Sequence, residues 1–378
     1  MKREILLTGL LFLGMPGMLR AQSFGFRGQV ISWTTVNPFN PFQVQGGLRY
    51  IPELTFTMPV GSLSLDGELS ANIRGSAERW SADSLTADGT ISPYRLWIKL
   101  SGEQFEFRAG LQKINFGSAH MLRPLMWFDR IDPRDPLQLT DGVYGLLGRY
   151  YFLNNANIWL WGLYGNNKTK GWEIFPSKKN SFEYGGRIQV PLLTGELATT
   201  YHHRNTFPDA VLPDSLHTGL SYPENRFALD ARFDFLIGLW FEGALIHQDL
   251  DFSPLKYTTL LSGGMDYTFG AGNGLNVMVE YFAYLRGGKM FGRDDHLLFG
   301  GISASYPLNI FHNLSAILFY DFSNHSLYRF VNWSITYDRW SFYVMGFWNP
   351  DTFTLYNFDR QATMYSGLGF QLMAVFNH

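Results

Sequence analysis

The chain alternates apolar and polar residues with a period of two along most of its length, and this pattern strongly limits its fold. In residues 226–235, phenylalanine, leucine and alanine occupy one set of alternate positions, and the other set includes Arg226, Asp230, Arg232 and Asp234. Successive side chains of a strand point to opposite faces, so this spacing predicts a β-strand with one apolar and one charged face. A helix would scatter the same charges around its circumference.

Reading such segments in order predicts about eighteen strands, with sixteen as the alternative. The predicted links are short after even-numbered strands and mostly long after odd-numbered ones, as at residues 76–91, 117–141, 166–181, 205–224 and 349–363. Short turns on one side and long loops on the other are typical of an outer-membrane barrel. The sequence therefore predicts an all-β fold, a transmembrane antiparallel up-and-down β-barrel with a polar lumen and long extracellular loops.

The N-terminus predicts export. Lys2 and Arg3 precede an apolar run over residues 5–15, and a cleavage site is expected after Ala21. The predicted domains are a signal peptide over residues 1–21 and one barrel domain over residues 22–378. The predicted location is the outer membrane of a Gram-negative bacterium.

Composition supports a barrel and excludes several other classes. Aromatic residues make up 17% of the chain, while the mean hydropathy is only −0.09, as expected where aromatic girdles alternate with water-facing positions. After the predicted signal peptide, the sequence has no apolar stretch long enough for a transmembrane helix. It has no cysteine, which excludes disulfides and thiolate chemistry. The net charge of −2 gives no indication of nucleic-acid binding.

If the apolar set faces lipid, the opposite set lines the interior. The predicted pore-lining residues are Arg49, Arg74, Arg95, Lys99, Arg108, Arg149, Arg187, Arg226, Asp230, Arg232, Asp234, Glu280 and Arg286. Arg27, Glu53, Asp66, Glu68, Glu106 and Glu183 belong to the same face. Basic residues are in modest excess, which favours anionic solutes because guanidinium groups bind carboxylates and phosphates. The alternative is that these arginines pair with neighbouring carboxylates and only stiffen the wall.

The link at residues 117–141 is rich in proline, methionine, aromatic and charged residues, so it is expected to pack against the barrel mouth or lumen. The sequence predicts that it constricts the pore. The alternative is an ordered extracellular cap. The candidate constriction residues are His120, Arg123, Asp129, Arg130, Asp132, Arg134 and Asp135.

No enzymatic activity, cofactor or metal is predicted. No histidine stands beside a serine in a recognisable nucleophile setting. His202 and His203 would point to opposite faces of one strand, so they cannot bind one metal together.

The stretch RAGLQKINFG at residues 108–117, followed by FDRIDPRDPL at residues 128–137, resembles outer-membrane porins of the alginate-export type and related barrels. RYIPEL at residues 49–54 is similar to the same family. The resemblance implies an eighteen-stranded passive conduit.

The predicted function is an outer-membrane porin or passive conduit for small or oligomeric polar solutes, anions among them. The alternative is a plugged barrel that binds or anchors a surface polysaccharide such as capsule, with Trp127, Phe128, Trp172 and Phe353 stacking on sugar rings. Expected partners are outer-membrane lipid, the barrel assembly machinery and a polar solute or glycan. Residues 365–378 are predicted to form the closing strand.

Overall fold

The computed structural model describes residues 23–38, 42–81, 84–214, 217, 219–251, 253–350 and 365–378. Eighteen antiparallel strands form one sheet, and β1 pairs with both β2 and β18, so the sheet closes into a barrel. The strands are β1 (Ser23–Asn37), β2 (Gln43–Val60), β3 (Leu63–Ser81), β4 (Ser84–Ser101), β5 (Phe105–Gln112), β6 (Val143–Tyr151), β7 (Asn157–Tyr164), β8 (Phe182–Leu192), β9 (Gly195–Thr206), β10 (Tyr222–Asp234), β11 (Gly238–Gln248), β12 (Tyr257–Phe269), β13 (Leu275–Gly287), β14 (Asp295–Pro307), β15 (His312–Asp321), β16 (Ser326–Tyr337), β17 (Trp340–Trp348) and β18 (Leu368–Asn377).

The predicted barrel and its strand number are confirmed. One turn of 3-10 helix, Pro208–Ala210, lies between β9 and β10. None of the helical structure in the described residues is long and apolar enough to cross a membrane.

The period of two sorts the side chains between the two faces of the wall. On β10, Arg226 is 1% exposed, whereas its neighbour Phe227 is 53% exposed. Leu48 on β2 and Leu160 on β7 are also largely exposed on the outer face. The outer face is therefore an apolar surface, and the charged alternate residues point inward.

The barrel closes between the first and last strands. Val36 pairs with Phe370 at one end of this seam, and Gln29 pairs with Asn377 at the other. Beyond the last pair, Gly28 and His378 exchange two backbone hydrogen bonds of 3.0 Å. The seam leaves no open edge at β1, which is the condition for a sheet to span an apolar medium.

Two predicted boundaries are wrong. The loop predicted at residues 76–91 is wrong, because β3 runs to Ser81 and β4 begins at Ser84, with Ala77 paired to Ala87. Small and polar residues dominate there, so the apolar signal fades while the backbone ladder goes on. Strand β5 ends at Gln112, so the long link begins at Lys113 rather than Gly117. The predicted signal peptide and Phe353 lie outside the described residues.

Candidate functional site

The segment between β5 and β6, residues 113–142, folds into the barrel, and we refer to it as the inner loop. Ile114, Leu122 and Leu125 are almost fully buried, in one apolar cluster with wall residues such as Phe282 on β13 and Phe319 on β15. Since β5 and β13 are eight strands apart in an eighteen-stranded barrel, they lie on nearly opposite walls. The inner loop therefore crosses the interior.

A buried carboxylate on the far wall holds the inner loop by its backbone. Glu280, on β13, accepts hydrogen bonds from the amides of His120 at 2.7 Å, Met121 at 2.8 Å and Leu122 at 2.7 Å. The indole of Trp240 donates to the same carboxylate at 2.9 Å. Hydrogen bonds to an ionised acceptor are about twice as strong as neutral ones, so this carboxylate is the main polar anchor of the inner loop.

A second carboxylate extends this anchor. Glu242, fully buried on β11, accepts the amide of Ala119 at 2.7 Å and that of Leu125 at 3.3 Å. Gly117 has a φ of +101°, a left-handed conformation that glycine adopts without strain. We refer to Glu242 and Glu280, with the amides they bind, as the carboxylate clasp.

Substitution of Gly117 by alanine is expected to weaken the clasp. A Cβ at this position would lie 2.2 Å from Oε1 of Glu242, and the positive φ would add strain of about 1–3 kcal/mol. Limited proteolysis of the folded protein should show faster cleavage within residues 113–142. Gly61→Ala, at the short turn between β2 and β3 with positive φ and open space around it, is the control. Equal cleavage of the two variants would contradict this expectation.

His120 connects the inner loop to β10. Its Nε2 lies 2.9 Å from a guanidinium nitrogen of Arg232 on β10. Burial lowers the pKa of His120, and the Arg232 charge acts in the same direction against the opposing effect of Glu280. Because a guanidinium can only donate, the His120 Nε2 accepts this hydrogen bond from Arg232.

Aromatic rings in the first half of the inner loop pack against β7. Phe116 stacks on Trp161 with ring centroids 5.8 Å apart and meets Trp127 and Phe128 edge to face. Phe128 also contacts His202 on β9 at 5.0 Å. Such pairs contribute about 0.5–1.5 kcal/mol each beyond area burial. Trp127 and Phe128 are therefore buried anchors, which corrects the prediction that they could stack on external sugars.

The candidate constriction residues form ion pairs and hydrogen bonds within the inner loop and with the loop after β7. Arg123 donates to Asp129 at 3.0 Å within the inner loop, and Trp172 of the next loop donates to the Arg123 carbonyl at 2.8 Å. Arg134 pairs with Asp132 at 2.5 Å. Arg130 donates to the Thr169 carbonyl.

Asp135 stabilises the part of the inner loop that leads back to β6. Its carboxylate accepts the amides of Leu137 at 2.9 Å and Leu139 at 3.1 Å, while burial raises its pKa above the usual range. Arg95 on β4 donates to the Thr140 carbonyl at 2.9 Å. All seven candidate constriction residues therefore make contacts that hold the inner loop in its position inside the barrel.

All of the predicted pore-lining residues share the inner face of the wall in the strand register. Their role in lining a solute path stays a prediction. The structure brings some of them together as buried pairs, such as Arg187 with Asp230 at 2.6 Å. Arg226 belongs to a larger network that sequence reasoning missed.

That network joins β9 and β10 to the loop after β7. Arg204 contacts Glu224 at 2.5 Å and Glu173 at 3.0 Å, and Arg226 contacts Glu173 at 2.6 Å. Glu173 lies outside the strands, so alternation gives no signal for it. Arg204 and Glu224 fall near the predicted strand ends, where the inward set is hard to assign. These arginines fit the structural alternative named above.

The inner face also has an aromatic side that was not predicted. Phe299, Phe319, Phe330 and Phe347 are buried inward residues of β14, β15, β16 and β17. The charged inward residues are concentrated on β2 to β10. The inner loop thus separates a charged wall from an aromatic one.

The fold is similar to solved structures at low sequence identity. Acinetobacter baumannii OccAB1 and OccAB4 each match 95% of this chain at 9% identity, with TM-scores of 0.55 and 0.56, covering 98% and 99% of their own chains. OmpT of Vibrio cholerae, an outer membrane protein in its trimer form, matches 94% of this chain and 99% of its own at 11% identity, with a TM-score of 0.53. These likenesses show a shared barrel fold.

No protein-family model and no curated protein matches the chain. The resemblance to the alginate-export family therefore stays a prediction.

Proposed function

We propose that the protein is a passive channel of the Gram-negative outer membrane for small or oligomeric polar solutes, with a preference for anions and with the inner loop as its constriction. The observation that carries the proposal is a loop that crosses a closed barrel and is fixed to the far wall by the carboxylate clasp. Outer-membrane lipid would cover the apolar outer face, and the barrel assembly machinery would insert the chain.

The anion preference is supported by a pair of arginines on the charged wall. Arg49 on β2 and Arg74 on β3 are direct cross-strand partners, and both guanidinium groups lie within 6 Å of the Trp33 ring. Within the described part of the chain, neither has a carboxylate oxygen at ion-pair distance. Like charges directly opposite each other are unfavourable, and a carboxylate or phosphate between them would offset that repulsion.

Neutralising this pair is expected to lower the preference for anions. Arg49→Gln combined with Arg74→Gln should reduce the anion-to-cation permeability ratio about threefold, because two fixed charges leave the path. Reversal potentials in a salt gradient measure this ratio. The control is Lys256→Gln, at an exposed loop cation already paired with Asp249. An unchanged ratio in the double variant would contradict the anion proposal.

Recording in planar bilayers tests the channel itself. Purified, folded protein should give stepwise conductance. Silence of folded protein would favour the alternative, a plugged barrel that anchors a surface glycan, which could then be sought by glycan pull-down.

A further inference from the structure

A cavity of about 240 Å³ lies between the second half of the inner loop and the inner face of β15, β16 and β17. Phe330 and Phe347 form part of its wall, and Pro133 and Pro136 of the inner loop lie on the other side. At about 30 Å³ per water molecule, this space corresponds to about eight waters. It has room for one ring-sized molecule.

The wall side of the cavity is a fixed aromatic cluster. Phe330 and Phe347 are direct cross-strand partners. Tyr365 meets both edge to face, with ring centroids 5.8 Å and 5.4 Å away. Because Tyr365 packs against both phenylalanine rings, the cluster presents an ordered aromatic surface to the cavity at little cost in side-chain entropy.

Neutral polar groups surround this apolar surface. Asn332 and Ser334 on β16 and Tyr343 on β17 line the same cavity. The Asn332 Oδ1 is buried and makes no hydrogen bond with the described residues. A buried amide oxygen without a partner is unfavourable by about 1–3 kcal/mol, so a donor from a bound molecule would stabilise it.

The charged groups that line the cavity already have partners. Arg134 and Asp135 are its only charged lining residues among those described, and they are of opposite sign. The Arg134 guanidinium is paired with Asp132, and the Asp135 carboxylate accepts two backbone amides. Both charged groups therefore already have partners in the inner loop, and the Arg134 guanidinium also lies over the Phe330 and Tyr365 rings, 5.6 Å and 5.0 Å from their centroids. A charged ligand would find no free counter-charge here, unlike at the Arg49 and Arg74 pair.

We propose that this cavity binds one neutral sugar ring, a monosaccharide, as a resting site beside the solute path. The C–H face of the ring would pack on Phe330 and Phe347, and its hydroxyls would bond to Asn332, Ser334 and Tyr343. The description of the cavity as a resting site beside the solute path rests on the proposed function. Sugar binding itself does not require that the protein conducts.

The test uses the full protein folded in detergent, with glucose, galactose and N-acetylglucosamine as probes and benzoate as the charged aromatic comparator. Saturation-transfer NMR should show binding of at least one of the sugars. Asn332→Ala and Phe347→Leu should each weaken that binding about tenfold. Phe299→Leu is the matched control, because Phe299 is a buried inward aromatic on β14 outside the cavity.

Absence of sugar binding to the folded protein would overturn the site, as would binding of benzoate alone. An equal loss in Phe299→Leu would also overturn it. Bilayer recording separates this result from the channel proposal. A silent protein that still binds a sugar through Asn332 would support the site and contradict the channel, whereas a conducting protein without sugar binding would do the reverse.

Discussion

Replacement of Glu280 by alanine is expected to release the inner loop from the far wall and to raise single-channel conductance about two- to threefold. The variant removes the acceptor of three backbone amides and of the Trp240 indole. Each buried donor left without a partner costs about 1–3 kcal/mol, whereas the same amides are hydrated once the loop leaves the wall. Bilayer recording and limited proteolysis of residues 113–142 measure the release.

The matched control is Glu106→Ala, which removes another inward carboxylate. Glu106 pairs with Arg108 at 3.0 Å and Arg149 at 3.5 Å and has no hydrogen bond to the inner loop among the described residues. Glu280→Gln retains one amide oxygen as an acceptor, so it should fall between wild type and Glu280→Ala. Unchanged conductance and unchanged protease resistance in Glu280→Ala would contradict the role of the carboxylate clasp.

The barrel was predictable because alternation is a local property that repeats. The placement of Arg226, Asp230 and Arg232 on one face of β10 follows from residue spacing alone. The hairpin at residues 76–91 escaped prediction because backbone pairing continues where apolar side chains do not mark it. Strand order and closure then follow from short links and from the need to pair every edge.

The clasp was not predictable, because it depends on contacts between distant segments. Glu280 was assigned correctly to the inner face, but nothing in its spacing shows that it binds amides from residues 120–122. Glu242 was missed because its inward neighbours on β11, Trp240 and Ala244, are not charged. The one available signal was composition: a long loop rich in apolar residues must bury them somewhere.

The sequence also could not separate structural arginines from those facing a path. Arg187 and Arg74 have the same residue type and the same inward position. Only the structure shows that Arg187 binds Asp230 with two hydrogen bonds of 2.6 and 2.8 Å. Partner choice depends on strand register across the barrel, which alternation within one strand does not set.

Removal of residues 370–378 is expected to abolish assembly of the barrel. These residues supply nearly all of β18, which pairs with β17 from Trp340 to Trp348 and with β1 from Gln29 to Val36. Without them, both neighbouring strands become open edges, and each unpaired backbone group in an apolar medium costs several kcal/mol. Heat-dependent gel mobility and recovery from outer-membrane fractions measure folding and insertion.

Deletion of His378 alone is the control, because it tests the end of the seam without opening it. This variant loses the backbone exchange with Gly28 and the ring contact with Tyr50 at 5.8 Å, while the β1–β18 register from Gln29 onward remains. Its folded form should be recovered from the outer membrane with a modest loss of thermal stability. Recovery of folded, membrane-inserted protein after removal of residues 370–378 would show that β18 is not required for closure, contrary to the topology described above. We expect a large difference between the two deletions because they remove very different numbers of backbone hydrogen bonds. The backbone groups of an open strand edge find no water within the apolar layer, whereas those of a frayed end can be hydrated.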